Sequence, residues 1–151
     1  MKFSRIIATA SILVGLVACG GSGSTTSIAS TTTATNEPPV KIVNGYKIEP
    51  GADLRGANLE GVDLKNAQLR GANLAGANLK YAEIQGINLT SADLTGTNFY
   101  WADLTGAYLS GAIIKGTDFT GANLFKARIS EGALDDAIIN ETGMPDGEFQ
   151  K

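Results

Sequence analysis

The chain of 151 residues contains no histidine and only one cysteine, Cys19. Zinc-binding clusters of Cys and His are therefore excluded, as are an internal disulfide and a cysteine nucleophile in the domain that follows Cys19. The phosphate-binding motifs G-x-G-x-x-G and G-x-x-x-x-G-K-[ST] and the hydrolase motif G-x-S-x-G are also missing. We therefore expect a non-enzymatic protein with no catalytic residues, no metal and no cofactor.

Positive charge is also scarce. Residues 19–151 hold ten Lys and Arg against fifteen Asp and Glu, a net charge of −5. The basic residues do not form the patch or stripe that marks a nucleic-acid-binding protein. The composition thus predicts that nucleic acid is not a partner.

A five-residue repeat runs without a break from Ala52 to Glu141, in eighteen units of the form A-(N/D)-L-x-x. The third residue of every unit is large and apolar, the first is Ala in thirteen units, and the fifth is Gly in ten. Because the first and third residues point the same way, as residues two apart in a strand do, each unit is predicted to be a short strand followed by a corner. The repeat therefore predicts a continuous core built from small and large apolar side chains.

With this register, residues 52–141 resemble the pentapeptide-repeat family. The resemblance implies an all-β fold, a right-handed quadrilateral (square) parallel β-helix with four units per coil, and about 4.5 coils for eighteen units. Residues twenty apart would then lie in line on successive coils, which stack at about 4.7–4.9 Å. Both ends of such a repeat domain need caps.

The segments that flank the repeats have features of caps. In residues 40–51, apolar residues flank an Asn-Gly pair, so the segment is predicted either to fold as a hairpin over the first coil or to lie extended along the domain. Residues 142–151 contain Met144, which can lie over the last coil, and Pro145, which cannot donate to a hydrogen-bond ladder. This segment resembles the exit found in many pentapeptide-repeat proteins and is predicted to end the repeats.

The N-terminus indicates a compartment. A basic start at Lys2 and Arg5 precedes an apolar run over residues 6–18, which is too short to span a bilayer. The run ends in Leu-Val-Ala-Cys, which resembles the lipobox of bacterial lipoprotein signal peptides. The resemblance implies that residues 1–18 are removed and that Cys19 carries a covalent lipid. An ordinary signal peptide with an incidental cysteine is the alternative.

Residues 19–39 join this cysteine to a stretch made almost wholly of Gly, Ser, Thr, Ala and Pro. Such a composition cannot form a packed core and predicts a disordered tether. The lipoprotein resemblance implies a location in the cell envelope, with the lipid as the membrane anchor. Because Gly20 follows the cysteine, the implied location in a Gram-negative cell is the outer membrane, facing the periplasm. The oligomeric state is left open.

Two polar columns appear when units four apart are aligned. The first consists of Asp63, Glu83 and Asp103, whose expected spacing of about 5 Å suits a Ca²⁺ ion or the carboxyl pair of a retaining glycosidase. The same residues occupy position two of the repeat, where Asp and Asn bond to nearby backbone, and Lys65 lies close enough to relieve their repulsion. A second column is predicted to form a side-chain hydrogen-bond ladder between coils: Asn58, Asn78, Asn98 and Asp118.

Aromatic residues depart from the repeat chiefly around two successive coils. Tyr81 and Trp101, the only tryptophan, are twenty residues apart, and Tyr100 precedes Trp101. Exposed aromatic side chains suit a sugar ring or a partner protein. Alternatively, the rings stack on each other and fill one side of the domain. Tyr81, Tyr100 and Trp101 are the candidate binding patch.

These features favour a membrane-anchored envelope lipoprotein whose β-helix is an interaction scaffold for an envelope protein or a glycan. The family resemblance also suggests a DNA mimic that interacts with topoisomerase, although the lipoprotein signal and the interspersed Lys and Arg differ from that group. A β-helical carbohydrate-active enzyme would need site residues that this sequence lacks. A passive structural envelope protein would need no site.

Overall fold

The computed structural model describes residues 41–150 of the chain. The predicted signal peptide, Cys19 and the tether lie outside these residues. Within the described range, no helix has the length and apolar character that crossing a bilayer requires.

The repeats are joined by parallel bridges between residues twenty apart, from Asp53–Asn73 to Asn123–Gly143. From Leu54 to Leu109, each third residue donates its amide to a position-two carbonyl in the next coil, as Leu79 does to Asn98 at 2.8 Å. Four units of five residues therefore make one turn of the coil. Because the ladder runs between coils, it satisfies backbone groups that a two-residue strand could not pair by itself.

The third residues of the units fill the interior. Their side chains are buried in every unit from Leu54 to Leu124. The rings of Phe99 and Phe119 lie one coil apart and stack with their centroids 5.3 Å apart and their planes at 4°. The predicted inward-facing pattern is therefore confirmed over these fifteen units.

The fifth residue of each unit forms a corner with left-handed backbone. From the first unit to Lys126, all fifth residues have φ between 53° and 68°. The amide of the following residue donates to the carbonyl of the third, as Ala82 does to Leu79 at 3.2 Å. This is the pattern of a type II turn, which favours glycine at its third position. The fold thus explains why ten units end in Gly.

The segment before the repeats is a hairpin. Strand β1 (Lys41–Val43) pairs antiparallel with β2 (Tyr46–Ile48). Both turn residues, Asn44 and Gly45, have positive φ, at 51° and 83°, as a type I′ turn requires. Of the two arrangements predicted for residues 40–51, the hairpin is the one observed.

This hairpin packs on the first coil. The side chain of Asn44 donates to the carbonyl of Asn58 at 3.1 Å, and that of Lys41 donates to the carbonyl of Asp63 at 2.7 Å. Ile48 is buried against the core. The hairpin therefore covers apolar side chains that would otherwise face water at this end.

The predicted five-residue repeat is structurally irregular at residues 130–136. Bridges one coil apart continue to Tyr108–Arg128, but the bridge expected from Ile113 to the next coil is missing there, and Gly116 donates to Asp136 instead of Asp135. Gly132 occupies a position where thirteen of the eighteen units place Ala, so this unit has no side chain there to pack against the core. The predicted centres are accordingly only partly buried in three units: Ile129, Leu134 and Ile139.

The coil register resumes and continues past the last predicted unit. Thr142 is buried, and its hydroxyl donates to the carbonyl of Phe119 at 2.8 Å. Strand β3 (Thr142–Gly143) then pairs antiparallel with β4 (Phe149–Gln150). Residues 142–150 therefore add to the last coil before they turn back as a second hairpin.

Candidate functional site

Tyr81, Tyr100 and Trp101 form a cluster on one edge of the coil, which we call the aromatic corner. The Tyr81 and Tyr100 rings meet edge to face, with centroids 5.8 Å apart and planes at 85°. Tyr100 and Trp101 lie 6.5 Å apart at 69°. Tyr81 and Trp101 are 56% and 54% exposed. Tyr100 therefore contacts both of the other rings. Within residues 41–150 the rings of Tyr81 and Trp101 do not stack on each other, so the prediction that they would stack directly is wrong.

The indole of Trp101 lies on the backbone of the next coil. A β-carbon placed on Gly121 would meet three ring atoms, Cε2, Nε1 and Cδ1, at 2.6, 2.6 and 2.8 Å. Because these distances are nearly equal, the missing β-carbon lies over the face of the ring and not at its edge. One face of the indole is therefore covered by Gly121, and the half-exposed ring presents the other face to solvent.

The backbone under this cluster is costly. Tyr81 and Trp101 are fifth residues with φ of 56° and 53°. Left-handed backbone costs a residue with a β-carbon about 1–2 kcal/mol, and bulky residues are rarely found there. Since glycine fills most other corners, the two rings are placed at the expense of stability. Such strain is a known mark of functional sites.

The predicted acidic column is aligned by the bridges Asp63–Glu83 and Glu83–Asp103. The ammonium of Lys65 contacts the carboxylate of Glu83 and lies 3.7 Å from that of Asp63. Asp103 accepts a hydrogen bond from Gln85 at 2.7 Å. Within residues 41–150, no three acidic, His or Cys side chains converge as metal ligands do. Neighbouring side chains thus form ion pairs and hydrogen bonds with these carboxylates.

Position-two side chains bond to the local backbone, as predicted. Asp103 accepts from the amide of Thr105 at 3.0 Å, and Asn98 accepts from that of Tyr100 at 3.0 Å. The predicted side-chain ladder between coils forms only in part: Asn78 donates to Asn58 at 3.2 Å. The prediction is wrong for the rest of the column, where Asn98 and Asp118 instead accept from the local amides of Tyr100 and Thr120.

These bonds shift carboxyl pKa values. Burial raises the pKa of Asp103, but hydrogen bonds from Thr105 and Gln85 and the charge of Lys65 outweigh it, so the net pKa is lowered from 3.8. The hydroxyl and amide of Thr95 lower the pKa of Asp93. Both groups stabilise the fold only while they are ionised.

Acid should therefore destabilise the domain in a defined window. A carboxyl whose folded pKa is lowered stabilises the fold above its ordinary pKa, and that stability is lost as pH falls through the folded value. We expect the melting temperature to fall from near pH 3.8 downwards, as measured by thermal unfolding between pH 7 and pH 2.5. The double variant Asp93→Asn/Asp103→Asn should show a flatter profile, and an identical profile would contradict this assignment.

A cavity of about 500 Å³ lies at the C-terminal end of the coil. Its apolar lining comes from the partly buried residues Ile129, Leu134 and Met144, and its acidic lining includes Glu131 and Asp146. The repeat pattern in the sequence does not indicate this cavity, because the cavity is lined largely by the irregular segment 130–136.

The repeats match the profile of a known family. The eight-copy profile of the family Pentapeptide repeats matches residues 51–80, 72–111 and 102–140. The chain is similar to a pentapeptide repeat protein from the thylakoid lumen of Arabidopsis thaliana, with 32% identity, a TM-score of 0.47, and coverage of 57% of this chain and 60% of that chain. No curated protein matches the sequence significantly.

Two further solved structures are from Nostoc PCC 7120. HetL, a pentapeptide repeat protein involved in heterocyst differentiation regulation, is 29% identical with a TM-score of 0.35, over 67% of this chain and 50% of HetL. Another pentapeptide repeat protein is 29% identical with a TM-score of 0.40, over 60% of this chain and 84% of that chain. This chain thus spans only 60% of the thylakoid-lumen protein and half of HetL.

The family profile covers residues 51–140, which is more than half of the chain, and the same residues carry the twenty-residue ladder. The chain therefore belongs to the pentapeptide-repeat family.

Proposed function

We propose that this protein is a non-enzymatic interaction scaffold that is anchored to the cell envelope by a lipid on Cys19. Its β-helix of about 4.5 coils displays the aromatic corner to a partner. The observation that carries the proposal is the placement of Tyr81 and Trp101 at strained corners where their rings are half exposed. A purely structural rod would gain from glycine at both positions.

A second line of support is that every carboxylate of the acidic column has a charged or hydrogen-bonding partner within the protein. Its carboxylates are taken up by Lys65, by Gln85 and by local amides. A DNA mimic relies on a dense, unpaired array of negative charge to imitate phosphates. An interaction through the aromatic corner fits the charge distribution better.

The lipid anchor is testable at one atom. Cys19→Ser removes the sulfur that would form the thioether, so we expect labelled palmitate incorporation to fall to background and the protein to leave the membrane pellet. Ser22→Ala, in the same segment, is the control and should retain label and location. Unlabelled wild-type protein in the cytoplasm would contradict the anchor and favour the DNA-mimic alternative.

The binding role is tested with the anchor removed. In the Cys19→Ser chain, Tyr81→Gly/Trp101→Gly should reduce cosedimentation with envelope fractions of the native host severalfold. Glycine is the usual residue at these corners, so the backbone is preserved. Ser91→Gly makes the same change at a corner on another side of the coil and should have no effect. Equal binding by all three proteins would leave the passive structural alternative.

A further inference from the structure

We propose that the aromatic corner binds a glycan, with the exposed face of the Trp101 indole stacked on a sugar ring; this inference rests on the proposed binding function of the corner. Sugar rings have an apolar face of C–H groups edged by hydroxyls. A matching site needs a flat aromatic surface with hydrogen-bonding side chains beside it.

The flat surface is provided by the contact between Trp101 and Gly121. Because the backbone of Gly121 lies against one face of the indole, the ring is held along the surface of the coil and its outer face is available. Tyr100 meets the Trp101 ring at 69° and so limits its rotation. The platform therefore exists before any ligand binds, which reduces the entropy lost on binding.

Hydrogen-bonding groups flank this platform. Asn98 lies in the same unit as Trp101, and Asp118 and Thr120 lie in the unit one coil further, bridged to Asn98. Asn98 and Asp118 each use one side-chain oxygen to accept from a local amide. Within residues 41–150, Asn98 Nδ2, Asp118 Oδ2 and the Thr120 hydroxyl make no such bond, so they offer donors and acceptors in the unit that carries Trp101 and in the unit stacked on it.

The same surroundings disfavour a protein partner of ordinary size. A stable protein interface buries about 800 Å² on each side around an apolar centre. Here the three rings are bordered by polar residues on both sides, Asn98 and Asp118 on one and Glu83 and Asp103 on the other. Polar residues thus lie close to the exposed rings of Tyr81 and Trp101, an arrangement that suits a sugar ring better than the apolar centre of a protein interface.

Trp101 is the only tryptophan, so its fluorescence reports on this site alone. We would titrate the full Cys19→Ser chain with β-1,4-linked hexamers of glucose and of N-acetylglucosamine, and with soluble muramidase fragments of peptidoglycan. At least one glycan should change the emission saturably. Tyr81→Gly should weaken that binding about tenfold, whereas Ser91→Gly should leave it unchanged. No saturable change with any of these glycans, or an equal loss in Ser91→Gly, would overturn the proposal.

A second experiment separates this inference from the proposed function. Envelope fractions are treated before cosedimentation either with protease or with periodate followed by chitinase and muramidase. Periodate cleaves the vicinal diols of sugars, and the two enzymes hydrolyse the β-1,4-linked amino sugars that periodate leaves intact. Corner-dependent binding that survives protease and is lost after the glycan-degrading treatment supports a glycan. Corner-dependent binding that survives the glycan-degrading treatment and is lost after protease overturns the glycan while leaving the proposed function intact. Binding that does not depend on Tyr81 and Trp101 in any fraction overturns both.

Discussion

Replacement of Phe119 by Ala should lower the free energy of unfolding by about 3–5 kcal/mol. The Phe119 side chain is fully buried and stacks on Phe99 at 5.3 Å. The backbone ladder fixes the spacing of the coils, so neighbouring side chains have little freedom to close the resulting cavity. Denaturant unfolding followed by far-ultraviolet circular dichroism measures the loss.

The matched control is Phe125→Ala. Phe125 is 39% exposed and lies outside the core, so its truncation should cost about 1 kcal/mol or less. Equal losses for the two variants would mean that the inward and outward positions of the repeat are not energetically distinct. Stability would then have to come mainly from the backbone ladder.

Deletion of residues 87–91 should weaken corner-dependent binding severely while the coil still forms. The deletion removes one whole unit between Tyr81 and Tyr100, so the five-residue repeat is kept. All residues after position 91 are shifted by one unit, which is one of the four sides of the coil. Tyr81 would then align with Gly106 instead of Trp101. We expect the near-ultraviolet circular dichroism of the aromatic cluster to change and binding to envelope fractions to fall about tenfold or more.

Deletion of residues 67–71 is the control of equal size. It removes a unit upstream of the corner, so Tyr81, Tyr100, Trp101 and Gly121 keep their spacing of twenty and nineteen residues. Both deletions should lower the melting temperature similarly, but only the first should affect the aromatic signal and binding. Equal binding losses would show that the alignment of these side chains is not what the partner recognises.

The sequence predicted the inside of the molecule better than its ends. A five-residue beat with a large apolar residue at each centre requires one inward-facing side, and the burial of Leu54 to Leu124 follows directly from it. At residues 130–136 the spacing persists in the sequence, yet the coil departs from it. Gly132 has no side chain to pack inward. The pattern of large apolar third residues does not reveal this, because Gly132 is the first residue of its unit.

The candidate site was predicted in its members but not in its geometry. The twenty-residue spacing correctly placed Tyr81 and Trp101 on neighbouring coils, and the departure of aromatic residues from the repeat drew attention to them. The contact through Tyr100 and the seat of the indole on Gly121 depend on the directions in which the side chains leave a left-handed corner. Side-chain direction at a corner is not encoded in residue spacing.

By itself, the sequence determined the five-residue period, the identity of the core residues and the residues that depart from the repeat. These features depend only on the order of residues along the chain. Only the tertiary structure decided which neighbours each surface group meets. Lys65 bridges Asp63 and Glu83, and Gly121 leaves room for Trp101, because the coil brings residues about twenty positions apart within contact. The aromatic corner is therefore a product of the ladder between coils.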